Sequence, residues 1–465
     1  MSILDKITRY LVETDYESLP ADVVEVTKKQ ILDTLAAMVG GSTCSISGEL
    51  EEMVDLIKGW GGKEESTIVA YGGRVPAPSA GFVNGVLCVR LDFDDTQVKG
   101  MRIHPSRAVV PTAFALAERQ GNITGRELIT AVALGHDLEC RLKIAVGRDL
   151  NSPLGMVTNF FGAAATAGKL IGLDEEKMGH ALSLACHQIS GAKSRAGTAG
   201  AGASVKGINN GIVVESGIAS ALLADRGFAS SPDFLEAENK RNLYHIFFSG
   251  YYEPSLLTAE LGRVFAGLNT SQKEYPCCHG QHTAIRAALG LVREQGIKPD
   301  DVAEVLLRIS PFDHDYLAQP VEEKQDPKNI IESQFSLYWG VASAIVYGKV
   351  NIGNFAVAAL NDTQVRGMVN RISAKADTEL AREGGFTPAI VEIKTGDGVV
   401  YAKQVDQPFG SPAEPMGFTD LAQKFRHCCQ YSIRPVAREN QDEVIRLVER
   451  LEEVSDVGRI VRLMA

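Results

Sequence analysis

The run Leu91-Asp-Phe-Asp-Asp-Thr96 places three carboxylates within four residues, and His104-Pro-Ser106 follows closely. Crowded carboxylates raise one another's pKa, so one of Asp92, Asp94 and Asp95 is expected to accept a proton near neutral pH. Pro105 stiffens the backbone beside His104, and Lys99, Arg102 and Arg107 surround the run with positive charge. Charge runs are commonly solvated surface, so an acidic loop capping a helix is the competing reading.

Two further segments combine cations with tight turns. The Gly-rich stretch from Gly197 to Gly211 carries Lys206, with Lys193 and Arg195 just upstream. Glycines let backbone amides and a lysine come close to an anion; the bland alternative is a close-packed turn with Lys206 in solvent. It is neither GxxxxGK[ST] nor a GxGxxG after a strand, which argues against a nucleotide loop. The second segment, Lys273-Glu-Tyr-Pro-Cys-Cys-His-Gly-Gln-His282, sets a lysine, a Tyr-Pro turn, two thiols and two histidines at the entry to a helix. Helix N-termini favour anions because their first amides are unpaired. Zinc on Cys277, Cys278, His279 and His282 is disfavoured, since zinc ligands usually come as separated pairs.

Asp92-x-Asp94-x-Thr96 also fits the nucleophile loop of haloacid-dehalogenase-like phosphatases. Those enzymes need the loop after a parallel strand and a later Gly-Asp with a second acid for magnesium. Here Gly396-Asp397 sits in a hairpin signal without a following acid.

The elements that must position these residues read as helical at both ends of the chain. Apolar residues recur at helical spacing from Val23 to Met38, with Gly40-Gly41 as a stop. Thr124-Gly-Arg-Glu127 has the form of a capping box. The Ala/Gly-rich stretches Gly162–Leu170 and Gly217–Leu223 predict close helix packing. The texture changes near residue 268. Val302–Ile309 alternates like a strand, and two β-rich runs from Ile390 to Val405 flank Thr395-Gly-Asp-Gly398. Ile331–Val346, Asn354–Leu360, Asp420–Cys428 and Asn440–Glu453 read as helices. The fold expected is mainly α: a large all-helical domain formed by both termini (1–267 and 407–465), plus a smaller inserted α+β lid domain (268–406).

The 465 residues, 45% hydrophobic, suffice for a large core. A net charge of -11 without a basic stripe argues against nucleic acid and anionic membranes as partners, so an anionic ligand needs locally gathered cations. The amphipathic, polar start and the lack of a long apolar run point to a cytoplasmic chain, in which the eight cysteines are expected as thiols.

LDFDDT with HPS, VKGINNG followed by SGIASALLADRGF, KEYPCCHGQH, QFSLYW with VASA, and DQPFGSP followed by Lys424-Phe425 together resemble the MmgE/PrpD family in order and spacing. The resemblance implies a homodimer with a helical domain and a lid, working without metal or organic cofactor. The family includes 2-methylcitrate dehydratases, cis-aconitate decarboxylases and iminodisuccinate epimerases. By position, Asp92, His104, Lys206 and Lys273 match its active-site residues. Tyr275 and the residues around Cys278 match its cleft lining, and Arg102, Ser106, His279 and Tyr338 are assigned with them to substrate binding. Family members often carry histidines where this chain has Val89, the segment 152–155 and Asn209.

Such enzymes break bonds next to a carboxylate, and the charge that develops needs fixed cations. Lys206 and Lys273 are the candidates for that role, with Asp92 or His104 as base. The function expected is a dehydratase acting on a small hydroxylated di- or tricarboxylate, similar to 2-methylcitrate dehydratase. An isomerase or epimerase, a decarboxylase, and a catalytically silent binding protein are the alternatives.

Overall fold

The computed structural model describes residues 1–97, 102–147, 156–190, 205–236, 241–382 and 385–465. Lys99, the 152–155 segment, Lys193, Arg195 and the Gly-rich residues up to Ser204 lie outside these. Helices dominate the described residues. In chain order the long ones of the first half are α1 (Ile3–Glu13), α2 (Ala21–Gly41), α3 (Glu49–Gly59), α4 (Ala77–Arg90), α5 (Ser106–Gln120), α6 (Gly125–Ile144), α7 (Asn159–Leu170), α8 (Glu175–His187) and α9 (Ile208–Asp225). None of the described helices is long and apolar enough to cross a membrane.

Local signals explain the helix starts. Ser2 and Asp5 form a capping box on α1, whose Leu4, Ile7 and Leu11 face the core. Thr124 and Glu127 form the expected box on α6. Small residues explain the packing. A Cβ on Gly217 of α9 would collide with Ala163 of α7, and one on Gly85 of α4 would sit 2.9 Å from Val214 of α9. These helices are therefore in backbone contact. α2 does end at Gly41, but its two glycines act chiefly as contact surfaces: a Cβ on Gly40 would lie 2.8 Å from Leu91 Cδ1.

The second half holds α10 (His282–Gln295), β5 (Val302–Ile309), α11 (Leu337–Tyr347), β6 (Ile372–Ala376), β7 (Ala389–Thr395) and β8 (Val400–Val405). The strand order is β6-β5-β7-β8, with β6 parallel to β5 and the other pairs antiparallel. β7 and β8 form the hairpin signalled at Thr395–Gly398, where Gly398 takes φ 89°. Ala389, Val391 and Ile393 alternate inward, and α10 packs against β7 and β8. The chain then returns through α12 (Phe418–Cys429) and α13 (Arg438–Glu449), both of which pack on α2.

Three expectations need correction. The part of the chain expected to be all-helical contains strands: β1 (Ser66–Thr67) pairs with β2 (Arg74–Val75), and β3 (Thr96–Gln97) pairs with β4 (Thr270–Ser271) just beyond it. The segment Ile331–Val346 is not one helix. A short helix, Ile330–Gln334, ends before Ser336, whose hydroxyl accepts from Trp339 N–H at 3.0 Å and opens α11. The Gln334 carbonyl turns away to accept from Cys278 N–H at 3.0 Å and from the Gln281 side chain at 2.7 Å. Residues Asn354–Leu360 likewise form two short 3₁₀ turns, Ile352–Phe355 and Val357–Asn361, in place of one helix.

Candidate active site

The β3–β4 ribbon brings the acidic run and the Lys273 turn together. Thr96 pairs with Ser271, so Lys273, two residues on, lies beside the loop that leaves α4. Asp92 in that loop adopts φ 51°, a left-handed conformation that aspartate tolerates better than most residues. Gln97 then bridges to Ile103, which carries the chain back to His104 and the start of α5. From the other side, Gly207 at φ 101° opens α9 tight against α4, and Arg90 Nη1 donates to the Lys206 carbonyl at 2.8 Å.

Two ammonium groups converge on one carboxylate. Lys206 Nζ donates to Asp92 Oδ1 at 2.9 Å, and Lys273 Nζ donates to Asp92 Oδ2 at 2.8 Å and to the Asp92 carbonyl at 2.7 Å. Burial alone would raise the Asp92 pKa, but Lys206 and Lys273 outweigh it and hold the carboxyl far below its usual range. Lys273 is fully buried, which works against its charge, yet Asp92 and Asp94 push its pKa up to about 12. Burial wins at Lys206, whose pKa is lowered despite Asp92.

His104 stands next to this cluster. Its Nδ1 lies 2.6 Å from the Asp95 carbonyl, which can only accept, so Nδ1 carries the proton and Nε2 the lone pair. Nδ1 also lies 3.2 Å from Thr96 Oγ1 and 3.5 Å from Asp94 Oδ2. Burial, opposed by Asp94 and aided by Arg107, lowers the His104 pKa to about 4, so the ring is neutral at pH 7. Asn159 at the head of α7 donates to the His104 carbonyl at 3.1 Å and fixes its backbone.

Asp92 and Asp94 are not raised as expected: Asp92 does push Asp94 upward, but nearby cations outweigh it at Asp94, and the two lysines hold Asp92 down. Each acid of the run has its own partners: Asp92 the two lysines, Asp94 Lys273, His104 and Arg107, and Asp95 the Ser106 amide and hydroxyl. Asp94 is buried, which works to raise its pKa, but Lys273, His104 and Arg107 bring it down. Neither Asp92 nor Asp94 is a base poised near neutrality.

The residues assigned to substrate binding separate into two groups. Arg102 lies against Asp313 (3.6 Å) and over the Phe312 ring, and with His279 and Thr96 it lines a cavity next to the cluster. His279 stacks on His282 and meets Phe386 at a tilt, and burial depresses its pKa far below 6.5. Burial, then the Asp92 charge, pushes the Cys278 thiol up to about 11. The others face inward. The Ser106 hydroxyl donates to Asp95, Tyr275 packs on His282, and Tyr338 donates to the Ala318 carbonyl at 3.3 Å with 2% exposure. The Tyr338 hydroxyl is thus already bonded to backbone, apart from the hydrogen bonds of Asp92 with the two lysines. Among the described residues no three His, Cys, Asp or Glu side chains converge as metal ligands.

Sequence reasoning missed the other wall. Gln334 Oε1 accepts from Lys206 Nζ at 3.2 Å, and the Phe335 ring centre lies 5.0 Å from that nitrogen. Tyr316 meets Phe335 edge-on, and after burial its pKa is raised by the charges of Cys278 and Asp92. The signal available was the Gln-Phe pair preceding the helix-capping Ser336, which marks a break in the helix pattern.

The MmgE/PrpD N-terminal domain matches residues 5–254, and the MmgE/PrpD C-terminal domain matches residues 275–450. Over 455 residues the chain is 25% identical to the cis-aconitate decarboxylase of Homo sapiens, covering 95% of this chain and 90% of that protein. The cis-aconitate decarboxylase of Aspergillus terreus is 25% identical over 472 residues, covering 96% of this chain and 93% of the fungal protein. The mouse cis-aconitate decarboxylase is 24% identical over 457 residues, covering 95% and 89%. With both domains of one family matched in order along most of its length, this chain belongs to the MmgE/PrpD family.

Proposed function

We propose that the protein is a cofactor-independent lyase acting at the carbon next to a carboxylate of a small polycarboxylate, and that decarboxylation of a cis-aconitate-like tricarboxylate is its reaction. The observation that carries this is the Lys206–Asp92–Lys273 cluster, two ammonium groups on one carboxylate in an otherwise acidic chain. Its surplus positive charge suits a substrate carboxylate on which negative charge builds up. The substrate enters between the helical part (1–267 and 407–465) and the lid (268–406), where Gln334 and Phe335 approach Lys206.

The protonation states favour decarboxylation over proton abstraction. Asp92 is too acidic to serve as a base, and His104 is a weak one. Decarboxylation needs no base. The C–C bond to the departing carboxylate of the CH₂ arm breaks and CO₂ leaves. The electron pair shifts through the double bond onto the carbon next to a remaining carboxylate. Lys206, whose pKa is lowered, supplies the proton that completes the product. Lys273, held cationic by Asp92, balances the transient charge. Relatives that match along nearly the whole chain and are named cis-aconitate decarboxylases support the same choice.

A hydro-lyase is the second reading, favoured by the neutral His104 with its lone pair on Nε2. Proton NMR in D₂O separates the two. Incubation with cis-aconitate is expected to release CO₂ and give a methylene-bearing dicarboxylate with one deuterium next to a carboxylate. Hydration of cis-aconitate, or dehydration of a hydroxytricarboxylate, would assign the protein to the second reading. Tight binding without turnover or exchange would overturn both.

A further inference from the structure

We propose that Lys424 is a positioning residue, which sets the Asp92–Lys273 pair from behind by tying the two chain segments that carry them. It rests on the reading of that pair as the anion-stabilising centre.

Lys424 lies on α12 and is 8% exposed. Its ammonium donates to the Phe93 carbonyl at 2.8 Å and to the Lys273 carbonyl at 3.1 Å, and it lies 2.7 Å from Asp33 Oδ1 on α2. Phe93 follows Asp92 directly, and its ring lies under the same ammonium at 3.6 Å. The ammonium thus gives two hydrogen bonds to carbonyls and pairs its charge with Asp33. Its reach spans segments 331 and 151 residues distant in sequence.

Asp33 makes sense only with Lys424. It is fully buried, neither of its carboxylate oxygens has a hydrogen-bond donor among the described residues, and the Lys424 ammonium is the cation paired with it at 2.7 Å. A buried ion pair of this kind contributes little to stability compared with an apolar pair of similar volume. What it secures is an ammonium held where the two carbonyls need one. Farther along, the β3–β4 ribbon pairs the same two segments at Thr96 and Ser271. The loop that presents Asp92 is thus tied to the Lys273 segment through the ribbon and through Lys424, besides the bonds of Lys273 itself to Asp92.

The test uses the full-length double variant Asp33→Asn/Lys424→Met, which removes both charges and so avoids stranding a buried carboxylate. If Lys424 only neutralises Asp33, this variant behaves as wild type once folded. Positioning predicts native circular dichroism, a lower Tm from the two lost hydrogen bonds, and a kcat at least about tenfold lower, because small misplacements of reacting groups cost large rate factors. The alkaline limb of the rate profile should also move to lower pH, since a misplaced Lys273 loses part of the Asp92 field. A folded double variant with wild-type kcat and an unmoved limb would overturn the proposal. Hydrogen exchange gives a reading that needs no substrate: amides in 91–97 and 270–275 should exchange faster in the variant while those of α2 and α12 stay protected. Unchanged exchange there overturns it as well, even if wild-type enzyme turns over nothing and the proposed reaction fails. Should the first variant not fold, Asp33→Leu/Lys424→Met carries the same readouts.

Discussion

Lys273 holds Asp92 twice, through its carboxylate at 2.8 Å and its own backbone carbonyl at 2.7 Å. The second bond matters because Asp92 sits at φ 51°, a conformation that needs outside support in a non-glycine residue. One buried lysine therefore both charges the site and stabilises the turn that presents its acid.

Removing either ammonium should show this double role. Lys206→Ala and Lys273→Ala are each expected to lower kcat/KM by about 10²–10³, the usual effect of losing a charge-stabilising donor. Stability should separate them. Lys273 is wholly buried, and breaking a buried pair costs up to about 3–5 kcal/mol, whereas Lys206 is partly exposed and its loss should be milder. Kinetics and thermal unfolding on the same preparations check both. Losses below tenfold in both variants would remove the lysines from the mechanism.

The four titratable residues brought together here, Asp92, His104, Lys206 and Lys273, were legible because lysine, aspartate and histidine stand out in Gly-rich and Pro-rich contexts. Their protonation was not. It depends on which partner each acid meets, and Asp92 meets Lys206 from 114 residues away. The break at Phe335-Ser336 was hidden for a related reason: helical apolar spacing continues across it, and only the tertiary bonds at Gln334 show why the chain turns. The glycines were read correctly as packing devices at Gly217, where a second helix backbone passes at contact distance.

Asp92→Asn should change the pH dependence in a definite direction. Asp92 raises the pKa of both Lys206 and Lys273 against the lowering effect of burial. Without its charge both pKa values fall, so the alkaline limb of kcat/KM should move to lower pH. An upward shift, or none, would show that the lysines are not governed by Asp92.

Tyr338→Phe tests whether that residue packs or meets substrate. The hydroxyl donates to the buried Ala318 carbonyl, so its loss should cost about 1 kcal/mol of stability, the usual worth of one such bond. It should leave kcat/KM within about threefold of wild type, a fraction of the about 10²–10³ expected for a residue that stabilises developing charge. A larger kinetic loss at equal folding would return Tyr338 to the substrate.

His104 gives a stability prediction with a fixed sign. Its pKa falls from 6.5 in the unfolded chain to about 4 in the folded one. Between those values the unfolded chain binds more protons, so stability declines as pH drops from 6.5 to about 4, and it levels off below. The buried Asp33 works the other way, because its pKa rises to about 6, and stability from that source is lost as pH increases through this range. The net slope mixes these with other buried groups such as His279 and His282, but the difference between wild type and His104→Gln isolates His104. The variant should have a smaller acid-induced fall in Tm between pH 6.5 and pH 4 than the wild type, with the two curves parallel above pH 7. Parallel curves throughout would mean that His104 titrates alike in both states and that its ring is not held neutral by burial.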